Sequence, residues 1–246
     1  MQLVIDIGNT RIKAAVFNGN LLQEHFIFNT KEEFLEGDLF TRFSIQNCIL
    51  CTVVDGLEPF IDTIKKAAPL LLFTSSTQTP LINRYKSAHT LGSDRLAAAA
   101  GANALYPQSN LLVIDAGTCI KYNFVSHRNE YIGGAISPGL KMRFKALNTF
   151  TSRLPLLDVD DSFDTLTGMD SSESILSGVL NGAVAEVQGL IELYRDQYPD
   201  ITVILTGGDV NFFEKRLKKP IFADSFLILK GLNSILAHNL KSGISQ

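Results

Sequence analysis

Residues 3–10 read Leu3-Val4-Ile5-Asp6-Ile7-Gly8-Asn9-Thr10, an apolar run that ends in an aspartate, a glycine and small polar residues. Residues 111–118 repeat this pattern as Leu111-Leu112-Val113-Ile114-Asp115-Ala116-Gly117-Thr118, with the second aspartate 109 positions after the first. Such runs predict buried strands, and the glycine predicts a turn that a ligand can approach closely. Each half of the 246-residue chain therefore opens in the same way.

Further strands and helices follow each opening. In the first half, the dipeptide Asn18-Gly19 between apolar runs is a strong hairpin signal. Alternating helical and strand patterns then favour a layered α/β fold. The predicted strands are 3–5, 12–17, 21–28, 47–54, 70–74, 111–114, 120–125, 131–136 and 202–205, and the predicted helices are 31–43, 57–68, 172–198 and 232–240.

A repeat at nearly half the chain length predicts two similar domains that face each other, since solenoid repeats have shorter periods. The most turn-like stretch between the halves is Tyr106-Pro107-Gln108-Ser109-Asn110. We therefore predict an N-terminal domain of residues 1–107 and a C-terminal domain of residues 108–246.

The composition is that of an ordinary soluble protein, with 46% hydrophobic residues, 19% charged residues and a net charge of -3. No run of Lys or Arg offers a footprint for nucleic acid or a membrane surface. The N-terminus reaches Asp6 after three apolar residues, which argues against a signal peptide. Three cysteines in apolar stretches favour a reducing, cytoplasmic location.

Cys48 and Cys51 form a C-x-x-C pattern that allows two interpretations. The surrounding residues are apolar and predict a buried strand, whereas a redox or zinc site would need a second pair of ligands, which the sequence does not supply nearby. The four histidines likewise show no spacing typical of a metal site.

The first turn has the residues needed to bind phosphate. Backbone N–H groups and the side chains of Asn9 and Thr10 can donate to phosphate oxygens, Lys13 adds positive charge, and Asp6 suits Mg²⁺. The alternative is a plain hairpin whose polar residues only satisfy the turn. The second turn, with Asp115 and Thr118, favours a clamp on one polyphosphate.

Two other segments also have a functional and a purely structural interpretation. Gly92-Ser93-Asp94-Arg95 precedes an alanine-rich helix, so Ser93 or Asp94 is a natural N-cap, while Asp94 could orient a hydroxyl and Arg95 could bind an acidic substrate. Thr206-Gly207-Gly208-Asp209 could support a nucleotide or form a simple turn.

Five segments together resemble the type III pantothenate kinases. The similarity covers almost the whole chain, and the combination is far more specific than any single motif. The segments are Asp6-Ile7-Gly8-Asn9-Thr10-Arg11-Ile12-Lys13, Leu91-Gly92-Ser93-Asp94-Arg95, Asp115-Ala116-Gly117-Thr118, Gly133-Gly134-Ala135-Ile136-Ser137-Pro138-Gly139-Leu140 and Thr206-Gly207-Gly208-Asp209.

The resemblance implies an actin-like ATPase fold, in which two ribonuclease-H-like domains with mixed sheets enclose ATP, as in the acetate kinase, sugar kinase and actin superfamily. It implies that Asp94 is the catalytic proton acceptor. ATP would be bound by Asp6, Ile7, Gly8, Asn9, Thr10, Arg11, Ile12, Lys13 and Thr118, and pantothenate by Tyr85, Gly92, Ser93, Asp94, Arg95 and Ser171.

The same resemblance implies a monovalent cation, K⁺ or NH₄⁺, at Asp115, together with Mg²⁺ on ATP near Asp6. It also implies a homodimer, because a threonine of a Gly-Lys-Asn-Thr stretch reaches the neighbouring subunit's site in that family. This chain departs from the pattern, with Gly168-Met169-Asp170-Ser171 at the corresponding position. Ser171 keeps the hydroxyl, but Met169 replaces the lysine.

The implied activity is ATP-dependent phosphorylation of pantothenate to 4′-phosphopantothenate, the first step of coenzyme A biosynthesis. Two alternatives stay open at this point. One is a kinase of the same superfamily with another acceptor, and the other is a catalytically silent nucleotide-binding regulatory protein of the same fold.

Overall fold

The computed structural model describes residues 1–8, 10–52, 54–218 and 220–243. The strands are β1 Gln2–Ile7, β2 Ile12–Asn18, β3 Leu21–Phe28, β4 Asn47–Thr52, β5 Leu70–Leu72, β6 Ile82–Asn83, β7 Leu111–Ala116, β8 Cys119–Ser126, β9 Glu130–Pro138, β10 Thr202–Thr206 and β11 Phe222–Ala223. The helices are α1 Lys31–Glu36, α2 Leu39–Arg42, α3 Glu58–Ala67, α4 Ser93–Leu105, α5 Leu140–Phe150, α6 Ser171–Leu176, α7 Gly182–Gln197, α8 Val210–Arg216 and α9 Leu227–Lys241.

These elements form two compact units. The first comprises Met1–Gln108, Ser126–Ile132 and Phe226–Gln246, and the second comprises Ser109–Val125 and Gly133–Ser225. The units thus divide the chain differently from the domains predicted at 1–107 and 108–246, because the β8–β9 turn and helix α9 belong with the N-terminal residues.

The sheet of the first unit has the order β3-β2-β1-β4-β5. Strand β1 pairs antiparallel with β2 and parallel with β4, so the sheet is mixed. The predicted strand–turn–strand opening is confirmed, including the hairpin at Asn18-Gly19. The helix predicted over 31–43 is wrong in extent, because the chain leaves the helical conformation at Gly37 and a short second helix begins at Leu39.

Helices α4 and α9 pack closely within the first unit because glycines line their contact. A side-chain carbon on Gly101 would lie 2.2 Å from the carbonyl oxygen of Leu227, and one on Gly231 would lie 1.8 Å from that of Ala97. The alanines of α4 at positions 97–100 are fully buried. This packing fixes the helix whose first residues are the predicted substrate segment.

The second sheet has the order β11-β10-β7-β8-β9-β6 and is also mixed, since β7 pairs antiparallel with β8 and parallel with β10. Its contact with β6 involves only the first residues of β9, which belong to the first unit. The core of the second unit contains Tyr122, Phe144 and Phe213, each at most 1% exposed.

The helix predicted over 172–198 contains a π-helical turn, Ser177–Asn181, between α6 and α7. Its polar residues hold the preceding loop, since Ser177 donates to the carbonyl oxygen of Leu166 and Asn181 donates to that of Thr165. By length and composition alone, the helical run 171–197 could cross a membrane, and it is the one such run in the described ranges. Ala183, Val187 and Ile191 instead lie in the core of the second unit.

Candidate active site

The first candidate element is the hairpin turn between β1 and β2. Asp6 pairs with Lys13 and Ile7 with Ile12 across the strands, and the backbone N–H of Gly8 donates to the carbonyl oxygen of Arg11 at 3.1 Å. Cross-strand partners lie about 5 Å apart, so the aspartate and the lysine are neighbours. Asn9, a predicted phosphate ligand, lies outside the described residues. Thr10 and Arg11 are exposed at the tip of the turn.

The start of helix α4 lies beside this hairpin through strand β4. Asp6 is paired in register with Cys51, and the thiol of Cys51 is 3.2 Å from the hydroxyl oxygen of Ser93. The predicted phosphate turn and the predicted substrate segment therefore share one end of the first sheet. Cys48 and Cys51 both lie buried in strand β4, which favours the strand interpretation of the C-x-x-C pattern. Burial also raises the pKa of the Cys48 thiol to about 12.

The N-cap of α4 is Gly92, so the expectation that Ser93 or Asp94 caps the helix is wrong. The Asp94 carboxylate instead accepts a hydrogen bond from the backbone N–H of Arg95 at 2.8 Å. A side-chain carbon on Gly92 would lie 2.6 Å from the Oδ1 atom of Asp94. A residue without a side chain therefore leaves room for the carboxylate at the helix start.

Arg95 is buried between aromatic side chains, with 5% of its surface exposed. Its guanidinium carbon is 5.7 Å from the ring centre of Tyr85, a cation–π distance. It also donates a hydrogen bond to the hydroxyl oxygen of Tyr131, since arginine can only donate. Tyr85 and Tyr131 thus hold the guanidinium at the start of helix α4.

The segment that carries Tyr85 is attached to strand β9. Arg84 donates its backbone N–H to the carbonyl oxygen of Tyr131, and its side chain forms an ion pair with Glu130 at 2.9 Å. The hydrogen bond from the Arg84 side chain to the Glu130 carboxylate holds the pKa of Glu130 below its usual value. Asn83 then accepts from the backbone N–H of Tyr85, which fixes the turn before the aromatic ring.

The second unit presents its own turn, after strand β7. Asp115 is 7% exposed, and its Oδ2 atom accepts from the Lys121 ammonium at 2.8 Å. Thr118 is exposed, and its carbonyl oxygen accepts from the backbone N–H of Gly139. A side-chain carbon on Gly139 would lie 2.0 Å from the carbonyl oxygen of Gly117, so glycine is required for this approach.

The Gly207-Gly208-Asp209 turn follows β10 and contacts the end of β7, where the backbone N–H of Asp209 donates to the carbonyl oxygen of Ala116. Gly207 has a φ of +101°, and a side-chain carbon there would lie 2.6 Å from Oδ1 of Asp115. Burial raises the pKa of Asp209, and the carboxylates of Asp115, Asp158 and Asp161 raise it further, while Lys141 opposes them. The glycine-rich turn thus brings a second acid near Asp115.

Ser171 is the exposed first residue of α6. Asp170 caps this helix by accepting from the backbone N–H of Glu173, and Glu173 accepts in return from that of Met169. The segment borders an apolar groove of about 1140 Å³ in the second unit. The groove is lined by Pro138, Met142, Arg143, Ala146, Leu147, Phe150, Leu154, Gly168, Met169, Asp170, Ser171, Ser174, Ile175, Gly178 and Val179.

Comparison with known proteins supplies the family. The family model described as type III pantothenate kinase matches residues 2–193. A type III pantothenate kinase of Flavobacterium johnsoniae is 41% identical over 98% of this chain and 99% of its own length. That of Christiangramia forsetii is 44% identical over 97% and 99%. The chain belongs to the type III pantothenate kinase family.

Solved structures place this pantothenate kinase family member in the actin-like ATPase and sugar kinase fold, as predicted. A putative Baf family transcriptional activator from Campylobacter jejuni matches 97% of this chain and 99% of its own, with a TM-score of 0.64 and 23% identity. An activator of 2-hydroxyisocaproyl-CoA dehydratase from Clostridium difficile, with bound ADPNP, matches 100% and 98%, with a TM-score of 0.56 and 12% identity. At these identities the likeness concerns the fold alone.

The sequence pattern does not reveal two polar residues of this kinase family member, the buried Tyr131 and the partly exposed Glu186. Tyr131 contacts the candidate substrate segment, yet its pattern in the sequence is that of an ordinary strand residue. Glu186 lies in the second unit and accepts hydrogen bonds from Tyr122, Ser137 and Arg143. The helical pattern of 172–198 gave no sign of this cluster.

Proposed function

We propose that this chain transfers the γ-phosphoryl group of ATP to the primary hydroxyl of pantothenate, giving 4′-phosphopantothenate and ADP, the first step of coenzyme A biosynthesis. Membership of the type III pantothenate kinase family carries this proposal. The start of α4 supports it, because a carboxylate and a buried guanidinium stand next to each other there, as a hydroxy acid substrate requires.

Asp94 is proposed to orient the substrate hydroxyl. The hydroxyl oxygen forms the new bond to the γ-phosphorus, the bond to the β–γ bridging oxygen breaks, and the hydroxyl proton passes to the Asp94 carboxylate. Because the transition state of phosphoryl transfer is loose, in-line positioning matters more than strong basicity. The backbone N–H of Arg95 holds one carboxylate oxygen at 2.8 Å and so fixes the orientation of the group.

Substrate recognition is assigned to Tyr85, Gly92, Ser93 and Arg95 in the first unit. The planar guanidinium of Arg95 matches the geometry of a carboxylate, and it contacts the Tyr85 ring at a cation–π distance. Residues 6–13 would bind ATP phosphates through backbone N–H groups and the Lys13 ammonium, and Thr118 would contribute a donor from the second unit.

Two cations complete the proposal. Mg²⁺ bound to ATP neutralises phosphate charge, and Asp6 offers the hard carboxylate oxygen that this ion prefers. The oxygen donors at the end of β7 suit a monovalent cation, K⁺ or NH₄⁺, near Asp115, where Lys121 already engages Oδ2. A proposed cytoplasmic location agrees with the buried, protonated thiol of Cys48.

A homodimer is proposed through the apolar groove beside Ser171. Met169 and Phe150 are 88% and 87% exposed, and Met142 is 41% exposed. Neighbouring apolar side chains left in water mark an interaction surface. A second copy of this chain is the proposed occupant, because Ser171 at the rim of the groove could then reach the other subunit's substrate.

A coupled assay for ADP formation tests the reaction across an acceptor panel, with and without K⁺. Turnover is expected with pantothenate, and Asp94→Asn is expected to lower it by about 10²- to 10⁴-fold, the range of general acid–base catalysis. Asp62→Asn, at an exposed site on α3, is the matched control. Full activity of Asp94→Asn would refute the role of Asp94. Turnover only with another acceptor, or none with any, would favour the alternative kinase or the silent regulatory protein.

A further inference from the structure

Tyr131 joins the elements that carry the candidate pantothenate site in the first unit. It lies on β9, is fully buried, and pairs in register with Asn83 of β6. Its carbonyl oxygen accepts from the backbone N–H of Arg84 at 2.9 Å. The residue therefore positions the strand that leads directly into Tyr85.

The side chain of Tyr131 makes two more contacts to the same site. Its ring meets that of Tyr85 edge to face, with centres 6.1 Å apart and an interplanar angle of 63°. Its hydroxyl oxygen accepts from Arg95, whose guanidinium stacks on the Tyr85 ring. Tyr85, Arg95 and Tyr131 thus form a closed triangle in which each side chain contacts the other two.

This triangle constrains the direction of the guanidinium. The cation–π contact places the guanidinium carbon 5.7 Å from the centre of the Tyr85 ring but does not by itself set the direction of the N–H groups. A hydrogen bond to the buried Tyr131 hydroxyl adds this direction, because hydrogen bonds favour a near-linear arrangement. Burial raises the pKa of Tyr131 above its ordinary value, so the phenol stays neutral and does not neutralise the arginine.

We propose that Tyr131 is a positioning residue for carboxylate recognition, which holds the Arg95 guanidinium in the orientation that binds the substrate carboxylate. This inference rests on the proposed function. It predicts that Tyr131 acts on the affinity for acceptors that carry a carboxylate, and that it has little effect on the phosphoryl transfer step.

The test compares Tyr131→Phe with the wild type on pantothenate and on pantothenol, the analogue in which an alcohol replaces the carboxylate. The KM for pantothenate should rise about tenfold, the effect of one hydrogen bond to a charged group. The KM for pantothenol, the KM for ATP and kcat should each stay within about twofold. In an Arg95→Met background, Tyr131→Phe should add no further change, since both residues act through one interaction.

Tyr122→Phe is the matched control, because Tyr122 is also fully buried but its hydroxyl donates to Glu186 in the second unit. It should leave the ratio of the two KM values unchanged. An equal rise in KM for both acceptors, a fall in kcat alone, or additivity with Arg95→Met would overturn the role of Tyr131 while leaving the kinase assignment intact. A folded wild type without pantothenate turnover would overturn the proposed function and this inference together.

Discussion

Gly92 lies so close to Asp94 that a side-chain carbon at position 92 would stand 2.6 Å from the carboxylate oxygen Oδ1. The backbone of Gly92 has a φ of -57°, which any residue can adopt. The backbone conformation therefore does not require glycine at position 92. The Asp94 carboxylate does, because a larger residue would push its oxygen aside. The residue at the helix N-cap thus affects the position of the proposed proton acceptor, Asp94.

Gly92→Ala should consequently displace the Asp94 carboxylate and lower kcat by at least about tenfold, since misplacing a reacting group by 1 Å can cost about a hundredfold. The free energy of unfolding should fall by only about 1 kcal/mol, the cost of alanine at an N-cap. Steady-state kinetics and urea unfolding measure the two effects.

Gly189→Ala in α7 is the control for this variant, because a side-chain carbon there meets nothing within 4 Å. It should keep full activity and gain about 0.5 to 1 kcal/mol of stability, the helix preference of alanine over glycine. Equal kcat values for Gly92→Ala and Gly189→Ala would show that Gly92 does not make room for the carboxylate.

The local features of the first unit were predictable because they follow from short-range signals. The strands flanking Asn18-Gly19 and the strand before Asp6 have apolar periodicity and turn residues that act over a few positions. The return of helix α9 to the first unit was not predictable in this way, because it depends on the Gly101–Gly231 approach between residues 130 positions apart.

The residues of the candidate site likewise divide into those marked by short-range signals and those that depend on long-range contacts. The Asp-x-Gly turns and the Gly92–Arg95 segment carry distinctive residues, so the sequence points to them directly. Tyr131 does not stand out, since its role depends on the pairing of β6 with β9 and on contacts with Tyr85 and Arg95. Long-range pairing of this kind leaves no periodic trace in a single sequence.

The ion pair between Asp115 and Lys121 offers a test of the proposed monovalent cation site. The ammonium and K⁺ carry the same charge and would share one carboxylate, so each weakens binding of the other. Lys121→Gln should therefore lower the K⁺ concentration for half-maximal activity several-fold. Activity titrations and the K⁺-induced rise in melting temperature measure this effect.

Lys145→Gln serves as the control, because it removes the same charge from helix α5 of the second unit. It should leave the K⁺ response as in the wild type. A half-maximal K⁺ concentration that rises in Lys121→Gln, or stays the same, would argue against a cation site at Asp115.

A single charged substitution in the exposed apolar groove should dissociate the proposed dimer. Met169→Glu would place a charge in the proposed interface, and burying an unpaired carboxylate there is strongly unfavourable. Light scattering should show a dimer for the wild type and a monomer for the variant at the same concentration. Activity should fall with dissociation, because Ser171 would no longer reach a partner.

Leu193→Glu provides the comparison, since Leu193 is 65% exposed on α7 but does not line the groove. It should remain dimeric. A wild type that is monomeric and fully active at assay concentration would contradict the dimer proposal.

The hydrogen bonds to Glu186 should make the free energy of unfolding depend on pH. Burial acts to raise its pKa, but hydrogen bonds from Arg143 and Ser137 outweigh this and leave the pKa below its usual value of 4.5. A carboxyl with a lowered folded-state pKa stabilises the fold above its unfolded pKa, and this stabilisation is lost as the pH falls through the folded pKa.

Glu186→Gln should therefore lower the free energy of unfolding by about 1 to 3 kcal/mol at pH 7, the scale of hydrogen bonds to a charged group. The difference from the wild type should shrink as the pH falls below about 4.5, where the unfolded carboxyl takes up a proton, and should level off below the lowered folded-state pKa, where the native carboxyl is protonated too. Urea unfolding at pH 7 and at successively lower pH measures this convergence. Glu192→Gln, whose partner Lys218 is 3.9 Å away at the surface, should show little effect at either pH. A stability difference for Glu186→Gln that is constant with pH would mean that its charge does not stabilise the unit.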